Sequence, residues 1–315
     1  MKTILVTAIG SFSADVTLRT LKELGFRVIG CDIYPRQWIA NSLLVDQFVQ
    51  APLCNSADYI PFIQSLCTAE SVDYLLPLTD LEVDALNPHR TNFADHGTTL
   101  CISPADTIAL CRDKLACWEY LRQHTDLPLI STRCLADVTD GEAPVPCVLK
   151  PRDGRSSQGL HKIPDARHWN FFVPELDAQT TLVQPLIPGD IVTVDVVRGE
   201  DGSCVCMPRK ELQRTLNGAG LTVETFWDEH LVQLCQQAAE ALSIIGCVNF
   251  EWISSDQGFF FLECNPRFSG GLAFSHLAGY NCVKNHMACF GGGIIEPQVI
   301  PERRILTRKY TEYTV

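Results

Sequence analysis

A hairpin-like segment near the carboxyl end constrains the fold of this chain more than any other part of the sequence. Residues 248–253 alternate in the manner of a β-strand, and residues 254–258, Ser-Ser-Asp-Gln-Gly, supply a turn. Residues 259–262, Phe-Phe-Phe-Leu, then predict a return strand. The sequence therefore predicts an antiparallel pair of strands here, with one face available for polar side chains.

Polar side chains continue the return strand at alternate positions. Glu263, Asn265 and Arg267 share one face, because successive side chains of a strand point to opposite sides. Glu251 on the first strand can face the same space, whereas Cys264 turns toward the core. Hard oxygen ligands without a complete protein cage suit Mg²⁺, which keeps waters and takes further ligands from substrate phosphates. A hairpin with solvated acids is the alternative, and it is disfavoured because these residues interrupt a strongly apolar segment.

Length, composition and charge restrict the class of protein. The 315 residues suffice for two or three lobes, and a hydrophobic content of 46% supplies their cores. A net charge of -12 argues against nucleic acid as a partner, since a nucleic-acid backbone requires a basic face. A nucleotide with its metal ion stays compatible, because only the local site must be positive.

The cysteines and the apolar runs indicate the compartment. The chain has 15 cysteines, an odd number, and none forms a Cys-x-x-Cys pair, so buried reduced thiols are expected rather than disulfides. No apolar run approaches the roughly 20 residues that span a bilayer. The first residues predict a core strand rather than a signal peptide. We therefore expect a cytoplasmic protein that has no membrane partner.

The first third of the chain predicts a Rossmann-like domain. A buried strand at residues 4–8, a helix at 14–24 and a second strand at 27–32 form a βαβ unit. This domain is predicted to end near residue 110. The other predicted elements in it are strands at residues 47–50, 74–77 and 99–102 and a helix at residues 58–69.

Gly10 and Asp32 lie where a dinucleotide-binding domain has its glycine loop and its ribose-binding acid. Residues 7–13, Thr-Ala-Ile-Gly-Ser-Phe-Ser, do not match the Gly-x-Gly-x-x-Gly fingerprint. A nicotinamide oxidoreductase is therefore kept only as a less favoured interpretation. A binding comparison between NAD and ATP separates the two.

The remainder of the chain predicts two α+β lobes, so the fold class is α/β with a Rossmann-like domain (1–110) followed by a small lobe (111–182) and a large lobe (183–315). The small lobe contains a strand at residues 147–150 and a polar loop after it. The predicted elements around and within the large lobe are strands at residues 181–185, 191–197 and 204–210, a helix at residues 228–243, and the hairpin.

Lys150 ends an apolar strand and enters a loop of small residues that includes Ser156 and Ser157. This arrangement can hold an ammonium group against phosphate oxygens while backbone N–H groups of the loop cover a nucleotide. Lys114 lies further upstream, about two turns after the start of a predicted helix. Either lysine alone would favour a solvated position, whereas their order before the loop and the hairpin favours a phosphate site.

These motifs together resemble the ATP-grasp superfamily of carboxylate-amine ligases, whose metal end carries a Glu-x-Asn-x-Arg pattern. The small-residue turn after Arg267 and the later Gly279-Tyr280-Asn281 are most similar to the branch of carbamoyl phosphate synthase and biotin carboxylase, including the pyrrolysine-pathway ligase. The chain is much shorter than a carbamoyl phosphate synthase large subunit. It also shows no extended carboxyl-terminal domain like that of biotin carboxylase, so neither reaction is carried over.

The resemblance implies a set of nucleotide contacts. Lys150 is expected to contact the α- and β-phosphates, and Lys114 corresponds to the second phosphate-side lysine of the family. Gln184 and Leu186, in the predicted hinge between the lobes, are expected to meet adenine through main-chain atoms. Asp190 is the candidate acceptor from the ribose hydroxyls, with a simple turn residue after Gly189 as the alternative.

The resemblance also assigns the metal ligands and the catalytic groups. Glu251, Glu263 and Asn265 are expected to hold Mg²⁺, with Glu263 bridging two ions and Mn²⁺ as an alternative metal. Arg267 is expected to hold the transferring phosphoryl group and then the acyl phosphate. Arg267 and Lys150 are thus the predicted catalytic residues.

Candidate substrate contacts follow the metal motif and lie upstream of it. Ser269, Gly270 and Gly271 expose backbone N–H groups that suit a substrate carboxylate. Arg209 and Lys210, on a strand-like segment, are weaker candidates for the same cleft, against solvated positions. The basic tail, which contains Arg303, Arg304, Arg308 and Lys309, is expected to be a solvated face.

The sequence as a whole predicts an ATP-dependent enzyme that makes an acyl phosphate from a small carboxylate and transfers the acyl group to an amine, releasing ADP and phosphate. The carboxylate is expected to be an amino acid or a peptide-like acid, and a homodimer is left open. A non-catalytic ATP-binding regulatory module is the competing interpretation from another class. The intact set of lysines, acids, amide and arginine argues against it.

Overall fold

In the computed structural model, residues 1–138, 144–155, 158–216 and 218–315 are described, and they form three β-sheets. One sheet has five strands, one has four and one has six. The first is parallel, and the other two are antiparallel in every ladder between their strands. This arrangement confirms the predicted α/β class with a Rossmann-like domain at the amino end.

The amino-terminal domain is the five-stranded parallel sheet with its flanking helices. Its strand order is β3-β2-β1-β4-β5, and β1 is buried along its whole length, as expected of an apolar strand covered on both faces. β1 ends earlier than the predicted residues 4–8, because the chain turns at Ala8, where φ is +50°. The elements are β1 (Thr3–Val6), α1 (Ala14–Glu23), β2 (Arg27–Asp32), β3 (Gln47–Gln50), α2 (Tyr59–Ala69), β4 (Tyr74–Leu76), α3 (Asp80–Leu86), α4 (Arg90–Asp95) and β5 (Thr99–Leu100).

The middle of the chain forms three helices and the four-stranded sheet, whose order is β6-β9-β7-β8. Asp113 caps the second helix by accepting from the N–H groups of Leu115 and Ala116, and Arg152 holds its carboxylate in a bidentate pair at 2.7 and 2.5 Å. The elements are α5 (Ala105–Arg112), α6 (Lys114–His124), β6 (Arg133–Cys134), β7 (Cys147–Pro151), β8 (His161–Ile163), α7 (Ala166–Phe172) and β9 (Thr181–Pro185).

The last part of the chain forms the six-stranded sheet, in the order β14-β13-β10-β11-β12-β15. Each long strand here extends one to four residues beyond the predicted range at one or both ends. The elements are β10 (Asp190–Arg198), β11 (Cys204–Arg214), β12 (Gly220–Thr225), α8 (Glu229–Ala241), β13 (Gly246–Ser255), β14 (Gly258–Asn265), α9 (Leu272–Leu277), α10 (Cys282–Gly291) and β15 (Arg304–Thr307).

The two faces of the large sheet have different neighbours. On β10, Val192, Val194 and Val196 belong to a core shared with α8, α5 and α6. Val197 faces the other way and belongs to a core shared with the amino-terminal sheet. Thr193, on this second face, lines a cleft instead. The large sheet therefore packs against the amino-terminal domain at one end and leaves a polar cleft at the other.

Several further expectations can be compared with the fold. Of the 15 cysteines, 13 are buried, which confirms the prediction that most of them pack as small core residues. Within the described part of the chain, no helix combines the length and the apolar character needed to cross a membrane. The predicted boundary after residue 182 falls inside β9. The division into three domains stays a prediction.

Candidate active site

The predicted hairpin is formed by β13 and β14, and it gathers the polar groups on one face. Glu251 pairs with Glu263 across the two strands, and Asn249 pairs with Asn265. A β-bulge shifts the register at Leu262, because Trp252 pairs with Phe261 whereas its neighbour pairs with Glu263.

The bulge resolves a conflict that strict alternation would create. Without the extra residue, Phe261 and Glu263 would share a face, being two positions apart. In the structure Phe261 and Cys264 belong to the apolar core, whereas Glu263 and Asn265 line the cleft. The predicted orientation of Cys264 toward the core is thereby confirmed.

The cleft is a cavity of about 350 Å³ between the large sheet and the amino-terminal domain. Side chains of the hairpin form one wall, and the loop after β14 forms another. The loop after β1 and the start of α3 close it from the amino-terminal domain. Its charged and amide lining residues are Asp80, Arg155, Arg209, Glu211, Arg214, Asn249, Glu251, Glu263, Asn265 and Arg267.

Both predicted lysines lie beside the hairpin acids. Lys150, at the end of β7, is only 5% exposed. Lys114 is the first residue of α6, and its Nζ lies 3.7 Å from Glu263 Oε2 and donates to the Gly154 carbonyl at 2.5 Å. Burial lowers the pKa of Lys150 to about 8; the nearby acids Glu263 and Glu251 oppose the shift and Lys114 adds to it. The structure therefore places Lys114 and Lys150 beside the hairpin acids, although the lysines are far from those acids in sequence.

The two acids of the hairpin have different protonation tendencies. Burial raises the pKa of Glu251, although Arg214 donates to its Oε1 at 2.7 Å and opposes the rise. Burial would also raise the pKa of Glu263, but Lys114 and Lys150 outweigh it, so the net shift is downward. Glu263 is thus held as a carboxylate, as a metal ligand must be. A role for Arg214 was not predicted, because nothing in the sequence distinguishes it from a solvated arginine at a strand end.

Arg267 is held by the amino-terminal domain. Its Nε donates to Asp80 Oδ2 at 3.0 Å, and its Nη2 lies 3.4 Å from Asn265 Oδ1. Asp80 begins α3 and is 8% exposed. Its role was not predicted from the sequence, because a contact between residues 187 positions apart leaves no local signal.

A second ion pair joins the same helix to the loop after β7. Arg155 pairs with Asp84, and Arg112 Nε lies 3.1 Å from the same carboxylate. The loop positions predicted to cover the nucleotide, Ser156 and Ser157, lie outside the described residues, and their role stays a prediction. Arg155 immediately precedes them, so the described start of this loop is tied to the amino-terminal domain.

The predicted hinge residues lie where the chain passes from the four-stranded sheet to the six-stranded sheet: Gln184 is in β9, Leu186 follows it, and Asp190 begins β10. Gln184 is 7% exposed, and its Nε2 donates to Thr132 Oγ1 at 2.7 Å. The Leu186 N–H donates to the Pro146 carbonyl at 3.1 Å, so it is engaged within the protein here. Asp190 is exposed and pairs with Lys210 at 2.6 Å. The adenine and ribose contacts assigned to these residues stay predictions.

Arg209 and Lys210 lie on opposite faces of β11, as alternation requires. Lys210 points away from the cleft and lines a separate surface cavity with Glu224 and Trp227. The structure therefore does not bring Lys210 to the reaction cleft, and it does not support the predicted contact of Lys210 with the substrate. Arg209 lines the cleft and is buried, with Asp195 Oδ2 2.7 Å from its Nη1.

The loop after β14 carries the predicted carboxylate contacts. Ser269 Oγ accepts from Arg209 Nη2 at 2.9 Å. Gly271 leaves room for that guanidinium, because a Cβ at this position would lie 2.8 Å from Nη2. Among the hydrogen bonds between described residues, none uses the N–H groups of Ser269, Gly270 or Gly271. Three successive backbone donors therefore border the cleft.

The carboxyl-terminal tail is only partly the solvated face that was expected. Arg303 and Arg304 are exposed, but Arg308 is half-buried and contacts two residues that line the cleft. Its Nη2 donates to the Gly270 carbonyl at 2.5 Å, and its guanidinium lies 4.8 Å from the centre of the Phe12 ring. The expectation was wrong for Arg308, because β15 adds to the sheet edge beside the loop.

Two family models match separate parts of this sequence. Residues 4–101 match the model described as the PylC-like N-terminal domain. Residues 177–312 match the model described as ATP-grasp in the biosynthetic pathway with Ter operon. No curated protein matches the chain.

Solved structures share the fold at low sequence identity. N5-carboxyaminoimidazole synthetase from Staphylococcus aureus, complexed with ADP, has a TM-score of 0.78 at 12% identity, covering 97% of this chain and 82% of that one. The biotin carboxylase domain of Hydrogenobacter thermophilus 2-oxoglutarate carboxylase, a dimer with MgADP, ADP and bicarbonate, scores 0.76 at 18% identity, covering 94% and 71%. L-amino acid ligase from Bacillus licheniformis scores 0.71 at 16% identity, covering 92% and 74%.

These matches confirm the resemblance drawn from the sequence motifs. Residues 177–312 are thus similar to ATP-grasp proteins, and residues 4–101 are similar to the PylC-like N-terminal domain. The prediction of an ATP-dependent enzyme of this superfamily agrees with the family model that matches residues 177–312. The identities to the solved structures are low enough that they establish the shared fold alone.

Proposed function

We propose, from the premise that the chain is an ATP-grasp protein, that it joins a small carboxylate to an amine and releases ADP and phosphate. In the first step a carboxylate oxygen attacks the γ-phosphorus, and the bond to the β-phosphate oxygen breaks. In the second step the amine nitrogen attacks the acyl carbon and loses a proton, and inorganic phosphate leaves. No general base is needed for the first step, because the carboxylate attacks as an anion.

The observation that carries this proposal is the convergence of cations and oxygen ligands around one space. Lys114 and Lys150 approach Glu263 from the small-lobe side. Arg267 lies on the side of the amino-terminal domain, where its Nε donates to Asp80, and its Nη2 is 3.4 Å from Asn265 Oδ1. A triphosphate laid along this line has its inner phosphates at the lysines and its γ-phosphate near Arg267. The β–γ bond is then the one aligned for cleavage.

The hairpin residues fit Mg²⁺ in the chemistry of their donors. Glu251 and Glu263 offer carboxylate oxygens on paired strand positions, and Asn265 offers an amide oxygen. Few protein ligands beside substrate phosphates are typical of Mg²⁺. When bound, the ion neutralises phosphate charge and so favours approach of the anionic carboxylate. Glu263 and Asn265 are further oriented by the 3.2 Å bond from Asn265 Nδ2 to Glu263 Oε1.

The loop after β14 suits the acyl end of the reaction. Arg267 and the N–H groups of Ser269, Gly270 and Gly271 border the same cleft. These donors can hold the substrate carboxylate and then stabilise the oxyanion that develops as the amine attacks. An amino acid or a peptide-like acid is the substrate class we favour. The similar fold of the Bacillus licheniformis L-amino acid ligase supports that choice.

Neither competing interpretation gains support from the geometry. For a nicotinamide oxidoreductase, Asp32 would have to bind a ribose, yet its two oxygens accept from the N–H groups of Gly10 at 2.8 Å and Tyr34 at 3.1 Å. For a purely regulatory ATP-binding module, nothing would require Arg267 and Asp80 to be positioned beside the metal ligands. A homodimer and a cytoplasmic location stay predictions.

A screen of carboxylates with hydroxylamine as the surrogate amine tests the proposal. The purified protein is incubated with Mg-ATP and single amino acids or dipeptides, and released nucleotide and hydroxamate are measured. Release of ADP together with a hydroxamate is the expected result. AMP and pyrophosphate as products would exclude the acyl-phosphate route, and ADP with a phosphorylated alcohol would make the protein a kinase.

A further inference from the structure

A second cavity, of about 540 Å³, opens at the carboxyl edge of the parallel sheet in the amino-terminal domain. From β1 the chain continues to β2 and β3 on one side, while β4 and β5 lie on the other. The crevice outside such a reversal of strand order is the usual ligand position in open α/β sheets. We call this space the edge cavity.

The walls of the edge cavity are apolar and exposed. Trp38, Leu53 and Leu81 line it and are 71%, 56% and 53% exposed. The ring of Tyr34 lies 5.8 Å from that of Trp38 and extends the same wall. Large apolar side chains converge on one cavity here, and covering them with an apolar group removes their surface from water and lowers the free energy. The wall therefore favours an apolar occupant.

The acidic groups at the floor of the edge cavity are already bonded within the protein. Asp32 accepts from two backbone N–H groups, as described above. Glu82 accepts from Thr79 Oγ1 at 2.7 Å and from Tyr59 OH at 3.3 Å. These bonds fix the loops around the cavity, so its selectivity comes from the apolar walls and not from charge.

The edge cavity continues into the reaction cleft. Ser11, Thr79 and Leu81 line both spaces. Asp80, which holds Arg267, lies between two of these shared residues in sequence. A ligand whose carboxylate lies at Arg267 can therefore pass over this shared rim and place its other end against Trp38.

We infer that the carboxylate substrate carries an apolar group, aromatic or branched aliphatic in size, which lies in the edge cavity. The inference rests on the proposed ligase function, because it treats the occupant as part of the molecule activated at Arg267. Apolar pockets of a few hundred Å³ accommodate groups of this kind. Trp38 and Leu53 are then specificity-determining residues that take no part in the chemistry.

Binding of two carboxylates that differ only in a phenyl group tests the inference. The full-length protein, with Mg-ADP present, is titrated calorimetrically with propionate and with 3-phenylpropionate. We expect 3-phenylpropionate to bind at least about tenfold more tightly, since even one methylene in an apolar pocket contributes about that factor. Trp38→Ala should remove most of this difference, and Leu53→Asp should do so independently.

Phe171→Ala is the matched control, because Phe171 is 73% exposed but lies on α7 in the small lobe. It should keep the preference for 3-phenylpropionate. Unchanged affinity for Mg-ADP in each variant shows that the fold is intact.

The outcomes separate the edge cavity from the ligase function. Equal affinities for the two carboxylates, or a preference that survives both Trp38→Ala and Leu53→Asp, would overturn the inference even if ADP and hydroxamate are formed. A preference that depends on Trp38, without turnover of any carboxylate, would support the cavity and contradict the ligase proposal.

Discussion

The protonation of Lys150 gives the most quantitative prediction. Its pKa is lowered from 10.5 to about 8, chiefly by burial. Only the ammonium form can bind the triphosphate, so affinity for Mg-ATP should be constant below pH 8 and fall above it. The charged fraction falls about tenfold between pH 7 and pH 9, so the dissociation constant should rise about tenfold, or roughly 1.4 kcal/mol.

The same shift affects the stability of the nucleotide-free protein. Between pH 8 and 10.5 the unfolded chain binds more protons at this lysine than the folded one, so its contribution to stability rises with pH in that window. Below pH 8 the charged amine costs about 3 kcal/mol relative to water, at about 1.4 kcal/mol per pKa unit. Lys150→Met removes that buried charge, and with it one cation beside Glu263. The variant should have a higher thermal midpoint than the wild type at pH 7, and Mg-ATP should no longer stabilise it.

Calorimetric titration with Mg-ATP between pH 7 and pH 9.5 measures the affinity directly. Lys150→Arg is the control, because a guanidinium keeps its charge throughout this range, and its affinity should show no fall near pH 8. A wild-type affinity that is equal at pH 7 and pH 9 would refute the reasoning. A Lys150→Arg variant that weakens in parallel with the wild type would refute it as well.

Three substitutions probe the rest of the site. Glu263→Gln keeps the shape of the side chain but removes its charge, and should lower kcat about 10²- to 10³-fold in a phosphate-release assay. Asp80→Asn weakens the hold on Arg267, and should lower kcat up to about 10²-fold with Mg-ATP affinity retained. Gly271→Ala places a Cβ 2.8 Å from the buried Arg209 guanidinium, and should destabilise the fold by about 1–3 kcal/mol in urea unfolding.

Two of the substitutions have a control variant, and each of the three has an outcome that contradicts its reasoning. Glu224→Gln removes an acid that pairs with Arg303 at the surface, so its turnover should be unchanged. Turnover of wild-type size in Glu263→Gln would exclude the metal role. Gly291→Ala meets only an ordinary contact at 3.6 Å and should be near neutral, and equal losses in both glycine variants would remove the steric explanation. If Asp80→Asn lowers affinity but not kcat, Arg267 positions ATP and not the reacting groups.

The elements of the fold that carry local signals were predictable from sequence. The ranges predicted for β2, β3 and β9 agree with the structure at both ends, because alternating or continuous apolar runs end at clear turn residues. The orientation of Glu263 and Asn265 also followed from the two-residue period of a strand. The bulge at Leu262 did not, because its position is set by packing of Phe261 against the core.

The candidate site was predictable only where its residues lie in one motif. Arg209 and Lys210 were both predicted as cleft residues, although neighbouring side chains of a strand point to opposite faces. The same alternation had located the hairpin acids correctly. Asp80 contacts Arg267 and Arg308 contacts Gly270 from distant parts of the chain. The sequence around Asp80 resembles an ordinary helix start, and that around Arg308 resembles a solvated tail. Contacts between separate lobes depend on how the sheets pack together, which no local pattern encodes.

The central claim is that the carboxylate attacks the γ-phosphorus, and transfer of a labelled oxygen tests it most directly. A substrate identified in the hydroxamate screen is prepared with ¹⁸O in its carboxylate and turned over with Mg-ATP and an amine. Attack by that oxygen predicts one ¹⁸O atom in each molecule of inorganic phosphate, detected by mass spectrometry or by the ³¹P isotope shift. Unlabelled phosphate, or label recovered in AMP, would contradict the account.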